Sequence, residues 1–248
     1  MSAMETLKSE SGAGNGPDEL FIRLRQLARR VPEPVATVSL ERTATYRKLW
    51  SRVERATARL QGEWGVTAGR LVVYQGRPHP DALVLWLALC RLGACLLPFE
   101  QDPACPNGGA PVPEHPGSEA MLSLHADDIL PSLSRVVGAS RPLSSLIMQP
   151  CPHRSVVVHE DGLLDCIEFP PSPTGRGPCR FNLRELMSEW RQAPGQLSAV
   201  GPGIELDRGA LAKDVLGPLL LPALMAGRCL VFGATPLSAT QPAAAGLR

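Results

Sequence analysis

Hydrophobic and polar positions along this chain follow two rhythms. In "TYRKLWSRVERATARLQGEWG", Tyr46, Leu49, Val53, Ala56, Leu60 and Trp64 recur every three or four residues, while Arg47, Arg52, Glu54 and Arg59 take positions facing elsewhere. That spacing predicts an α-helix with one buried stripe, capped by Thr45 at its start and Gly65 at its end. "ELFIRLRQLARR" shows the same period: Leu20, Leu24, Leu27 and Ala28 share a face, Asp18 is placed to cap, and Pro32 follows the stop. "VATVSL" alternates as a short strand, and "ERTAT" returns as its hairpin partner. Next come an apolar run "LVVYQ", the almost wholly apolar "PHPDALVLWLALCRLG" and a further run "ACLLPF". A buried strand, buried helix and buried strand in that order predict a right-handed βαβ unit in a parallel sheet.

The pattern breaks at 101–118, where "QDPACPNGGAPVPEHPGS" is dense in Pro and Gly and reads as loop. Beyond it, "EAMLSLHADDIL" is expected as a helix, and "SSLIMQP" and "SVVVH" as strands. Strand "LLDCIEF", loop "PPSPTGRGP", helix "FNLRELMSEWRQ" and short strand "LSAVG" follow. The series ends in a helix over "GALAKDVLGPLLLPALMAG", kinked at Pro218 and Pro222, and a strand in "RCLVFGA". The expected fold class is α/β, with mixed or parallel sheets flanked by helices. Residues 1–17 and 236–248 lack periodicity and are expected as tails around a structured region at 18–235.

Composition narrows the function classes. A formal net charge of +1 gives no strong field toward nucleic acid or an acidic membrane surface. The longest apolar run, "ALVLWLALC", is far shorter than the ~20 residues of a membrane span. The N-terminus is polar and acidic, unlike a secretory signal, and the seven scattered cysteines suit a reducing compartment, so a cytoplasmic location is expected. Cys151, His153, His159 and Cys166 cluster, but their spacing matches no paired zinc pattern, so packed thiols and surface imidazoles are expected. Adjacent Asp127 and Asp128 diverge on the expected helix and read as a solvated terminus. No Gly-x-Ser-x-Gly elbow occurs. Trp50, Trp64, Trp86 and Trp190 stand at helical positions and are expected as core or interface anchors. Lys213, one of only three lysines, reads as a solvated surface residue.

One stretch carries candidate chemistry. "PPSPTGRGPCRFNLREL", residues 170–186, has the form of a phosphate-binding loop running into a helix. Such a loop works because successive backbone N–H groups and a helix N-terminus point at an anion. Ser172, Thr174, Gly175 and Gly177 retain hydroxyls and backbone donors of that kind, and Arg176 and Arg180 bring positive charge. Pro170, Pro171, Pro173 and Pro178 remove four donors.

Taken in order, these motifs resemble the large N-terminal domain of the adenylate-forming superfamily: acyl- and aryl-CoA synthetases, adenylation domains of peptide synthetases, and luciferases. The resemblance rests first on "TATYRKLWSRVERATARLQGEWGVTAGRLVVYQGRPHPDALVLWLALCRLGACLLPFEQDPACP", with its Thr-Tyr helix start, Gly-Val-x-x-Gly-Arg turn and Gly-Ala ahead of Leu-Pro. "FPPSPTGRGPCRFNLREL" stands where the family has a Gly/Ser/Thr-rich loop with a lysine, and "GPLLLPALMAGRCLVFGA" resembles a later helix and strand. It implies ATP with magnesium as cofactors and Ser172, Thr174, Gly175, Arg176 and Gly177 as the phosphate loop. It also implies partners among carboxylic acids or acyl groups, acyl carrier proteins, or a chain that complements this one.

The sequence departs from the family in two respects. Pro178 occupies the lysine position, and the family's later adenine- and Mg-binding motifs, hinge and small C-terminal domain with its catalytic lysine have no counterpart before Arg248. Loss of several charge-assisted hydrogen bonds, each worth ~1.5–3 kcal/mol, weakens ATP binding by orders of magnitude. The expectation is a shortened, impaired relative of an acid ligase, assigned no catalytic residue, with a non-catalytic acyl- or carrier-protein-binding module as the alternative.

Overall fold

The computed structural model describes residues 18–76, 79–99, 120–127, 140–148, 181–192, 203–206 and 216–233. Its elements are α1 (Asp18–Ala28), β1 (Val35–Ser39), β2 (Thr43–Thr45), α2 (Tyr46–Gly62), β3 (Leu71–Gln75), α3 (Pro80–Leu92), β4 (Cys95–Phe99), β5 (Ala120–His125) and β6 (Ser140–Pro142). A 3₁₀ turn (Leu143–Leu146), α4 (Leu183–Gln192), β7 (Gly203–Leu206), a π-helical turn (Leu216–Leu220), α5 (Leu221–Ala226) and β8 (Cys229–Phe232) follow.

The strands form two four-stranded sheets, β2-β1-β8-β7 and β4-β3-β5-β6. In the first, β1, β8 and β7 run parallel and only the β1–β2 hairpin is antiparallel. The second is parallel throughout. The predicted βαβ unit is present: β3 and β4 pair from Leu71↔Cys95 to Gln75↔Phe99, joined through α3. Every residue of α3 is buried because the helix packs on β4 of one sheet and β1 of the other, with α2 alongside. α2 also contacts β1, β2 and the 3₁₀ turn, so the α2–α3 pair lies between the two sheets within one continuous apolar core. α1 covers α2 and reaches α5, and α4 packs on the π-helical turn and α5.

Local chemistry explains the element ends. Thr45 Oγ1 accepts the Lys48 N–H at 3.3 Å, the predicted cap of α2, and α3 stops at Gly93 in the left-handed region, with φ 65°. Pro218 falls within the π-helical turn and Pro222 at the start of α5, so the predicted kink becomes a change of helix type.

Five expectations are corrected. "EAMLSLHADDIL" forms strand β5 rather than a helix: Leu122, Ser123 and Leu124 are all buried in a central strand covered on both faces, which erases the period-two signal. "SSLIMQP" turns through the 3₁₀ segment, because Ser145 Oγ donates to the Pro142 carbonyl at 2.6 Å and Asp127 Oδ1 accepts the Ser144 N–H at 3.2 Å. Asp127 therefore caps a turn beyond β5 instead of ending a helix. Trp64 stands just past the end of α2. Arg59, expected on the outer face, is 1% exposed; its Nη1 donates to the Ser145 and Leu146 carbonyls at 2.7 and 3.0 Å, and its Nε to Glu63 at 3.1 Å. The buried guanidinium pins α2 to the 3₁₀ turn through charge-assisted bonds. Trp50 and Trp86 are buried, and Trp64 and Trp190 pack partly on the core, as expected of anchors.

Candidate functional site

In an open parallel sheet, the crevice for a ligand opens at the carboxyl ends of the strands where the strand order reverses. In the second sheet β4 lies on one side of β3 and β5 on the other, so the reversal falls between β3 and β5. Their last residues, Gln75 and His125, stand in register, and Ala126 N–H donates to the Gln75 carbonyl at 2.8 Å. Gly76 follows in close quarters, since a Cβ there would meet the Tyr74 hydroxyl and lie 2.8 Å from Ala126 Cβ.

The segment after Gly76 leads to the N-terminus of α3. His79 caps that helix by accepting the Asp81 N–H on Nδ1 at 3.1 Å, and Pro80 supplies a first-turn residue that needs no donor. The Asp81 carboxylate is buried and forms an ion pair with Arg42. Its other oxygen lies 3.7 Å from Arg52 Nη1 and makes no hydrogen bond among the described residues. Arg42 comes from the β1–β2 hairpin, which is closed by the Ser39 N–H donating to the Arg42 carbonyl at 2.9 Å. This ion pair therefore joins the carboxyl end of β1 in one sheet to that of β3 in the other, and both sheets open toward the same end of the molecule.

Electrostatics fixes the states of these groups. Burial pushes His79 below its ordinary pKa, Asp81 opposing and Arg42 adding to the shift. A neutral imidazole fits its role as acceptor at Nδ1, and its 3.6 Å separation from the Asp81 carboxylate is then no ion pair. Arg52 is lowered by burial first, then by Arg42, with Asp81 opposing and Arg55 adding. One carboxylate thus stands between two guanidiniums, an arrangement that ties the start of α3 to the β1–β2 hairpin and α2. On the β5 side, Ser140 Oγ donates to Ser123 Oγ at 3.3 Å and lies 2.8 Å from His125 Nδ1.

The sequence-predicted loop residues Ser172, Thr174, Gly175, Arg176 and Gly177 lie outside the described residues, as do Lys213, Asp128 and the Cys151, His153, His159 and Cys166 cluster. The helix just after the loop is described. Asn182 Oδ1 accepts the Glu185 N–H at 2.8 Å, and the Glu185 carboxylate accepts the Asn182 N–H at 3.2 Å, a reciprocal capping box at the start of α4. Two N-terminal donors are thereby satisfied, and a carboxylate occupies the positive end of the helix dipole. Among the described residues no group of three or more His, Cys, Asp or Glu is arranged to hold a metal ion, and no helix is long and apolar enough to cross a membrane.

Comparison with known proteins places this geometry. Residues 24–104 match the family model described as AMP-binding enzyme. Over that stretch the sequence is similar to AMP-binding enzymes. The chain is 33% identical over 82 residues to a D-alanine--D-alanyl carrier protein ligase of Bacillus licheniformis, a match covering 33% of this chain and 16% of that protein. Its fold matches o-succinylbenzoate CoA synthetase of Bacillus subtilis in complex with an acyl-adenylate intermediate, with TM-score 0.62 and 13% identity over 85% of this chain and 43% of the other. It also matches the N-terminal subdomain of Klebsiella oxytoca NpsA in complex with 3-hydroxyanthranilyl-AMSN, with TM-score 0.61 and 18% identity over 88% and 52%. The chain spans about half or less of the length of these proteins. The adenylate-forming fold is thus present, and the family match covers Arg42, Arg52, His79 and Asp81 but not His125 or Ser140. Sequence reasoning missed the Arg42–Asp81 pair. Its only signal was the His-Pro-Asp start of α3, which marks a helix terminus and names no distant partner.

Proposed function

We propose that this chain is an AMP-dependent acyl- or aryl-acid ligase-type protein that does not adenylate an acid at a useful rate by itself, and that it serves an accessory role in making a lipid, polyketide or nonribosomal product. The family match at residues 24–104 and the shared fold support the ligase lineage. The observation that carries the impairment is the capping box at Asn182 and Glu185, which occupies with the protein's own carboxylate the helix end that would face a phosphate. Pro178 at the family's lysine position and the four prolines of 170–178 support the same reading. Ser172, Thr174, Gly175, Arg176 and Gly177 remain the residues proposed to touch a nucleotide, and a lysine from a complementing polypeptide would be needed to restore charge neutralisation at the departing pyrophosphate.

The test is ATP–pyrophosphate exchange by the purified chain across D-alanine and a panel of aromatic and fatty acids. Exchange no greater than that of a heat-denatured control is expected; robust, acid-dependent exchange would overturn the proposal. A second reading, a non-catalytic module that binds an acyl group or a carrier protein, draws support from Asp81. With that carboxylate held between two arginines, the α3 end of the crevice is built for rigidity rather than proton transfer. Acyl-chain binding that is independent of ATP would favour it.

A further inference from the structure

Charge is unevenly distributed in this nearly neutral chain. Residues 18–62, which span α1, β1, β2 and α2, carry ten Arg or Lys against five Asp or Glu, a surplus of five positive charges in a chain whose net charge is +1. Part of that surplus surrounds a hollow of about 640 Å³ between α1 and α2, lined by Arg25, Ala28, Arg29, Arg47, Trp50 and Glu54. Arg25, Arg29 and Arg47 are exposed, while Trp50 is buried at 8%. The Trp50 ring has the Arg25 guanidinium 5.5 Å and the Arg91 guanidinium 4.9 Å from its centroid. Arg91, 8% exposed, has one guanidinium nitrogen without a hydrogen-bond partner among the described residues. Two acids temper the field: Glu54 in the lining, and Glu33, 2.9 Å from Arg47. On α2, Arg47, Trp50 and Glu54 lie on the side away from Arg52 and Arg59, so this surface is separate from the carboxyl-end crevice.

We propose that the α1–α2 face is a docking surface for an acidic helical segment of a partner protein. Arg25 in the last turn of α1 and Arg29 in the turn just after it both line the hollow, so together they can meet two carboxylates on one face of a facing helix. Arg47 closes on a third acidic group from the α2 side, exchanging its exposed contact with Glu33 for one to the partner. Trp50, held between two guanidiniums, gives the surface a rigid base, and tryptophan and arginine are the residue types that dominate interface energetics. The hollow is open and Arg25, Arg29 and Arg47 are exposed, which suits a long-range, salt-sensitive encounter with an extended acidic surface.

The full chain would be titrated against a fluorescent designed helical peptide bearing glutamates at i and i+4 along one face, and against its all-glutamine counterpart. The glutamate peptide is expected to bind at least about tenfold more tightly, and to weaken steeply between about 50 mM and about 300 mM salt. The double variant Arg25→Glu/Arg29→Glu should lose at least about tenfold in affinity, Arg47→Gln should lose a smaller part, and Arg70→Glu, an exposed arginine outside the hollow, should bind like the parent. The Arg47→Gln variant keeps the test decisive should the double variant fold poorly. Equal binding of the two peptides, or an equal loss in Arg70→Glu, would overturn the proposal. So would tight binding of inorganic pyrophosphate at this surface without peptide binding, which would make it a small-anion site.

Discussion

Asp81 is the residue on which the carboxyl end of this molecule turns. Its buried carboxylate holds Arg42 of one sheet's hairpin and faces Arg52 of α2, so removing it leaves two half-buried guanidiniums without their shared counter-charge. Asp81→Ala is expected to lower unfolding stability by about 3 kcal/mol, measured by urea denaturation, because an unpaired buried charge costs more than the pair contributes. His79 beside it gives a pH signature. Burial depresses its pKa in the folded state, so the unfolded chain binds the proton more readily. Its contribution to stability is complete above the unfolded value of about 6.5 and is lost as pH falls below that toward the folded pKa. Between neutral pH and pH 5.5, stability should therefore fall more in the parent than in His79→Asn, which keeps a capping acceptor but does not titrate. Parallel stability–pH curves for the two proteins would refute that assignment.

At the scale of elements, the parts with one clean environment were legible from sequence. α2 carries a buried stripe and a Thr cap, and the β3–α3–β4 unit is buried and largely apolar because both sheets cover it. β5 was not legible. As a central strand with Leu122, Ser123 and Leu124 all buried, it shows no alternation, and the following Ala-Asp-Asp mimics a helical continuation. β7, a four-residue strand paired to β8, lies two residues beyond the expected "LSAVG" strand, which itself falls outside the described residues. The candidate site was less legible than the fold. Its defining ion pair links a hairpin residue to a helix residue far along the chain, and no local pattern records that contact. Element ends give two further tests. Asn182→Ala should destabilise the protein by about 1 kcal/mol by opening the capping box of α4, read as a shift in the urea midpoint. Gly227→Ala should cost about 1–3 kcal/mol, since φ there is 72° and the new Cβ would come within 2.7 Å of Leu27 Cδ2, where α1 packs beside the end of α5.

At the scale of the whole molecule, two sheets with a shared helical layer bring their carboxyl ends to one side, as a ligand-binding α/β protein requires. The fold is that of adenylate-forming enzymes, yet the starts of α3 and α4 are capped by the protein's own side chains. At α3 His79 accepts the Asp81 N–H and the Asp81 carboxylate pairs with Arg42, and at α4 Asn182 and Glu185 cap the helix end. The proposed function holds that scaffold and phosphate chemistry have separated in this chain, and nucleotide affinity is the property that tests it most directly. Calorimetric titration of the purified chain with Mg-ATP measures it. We expect no binding heat up to millimolar nucleotide, with or without a carboxylic acid present; saturable binding in the micromolar range would contradict the proposed impairment and support Ser172, Thr174 and Gly175 as a working nucleotide site.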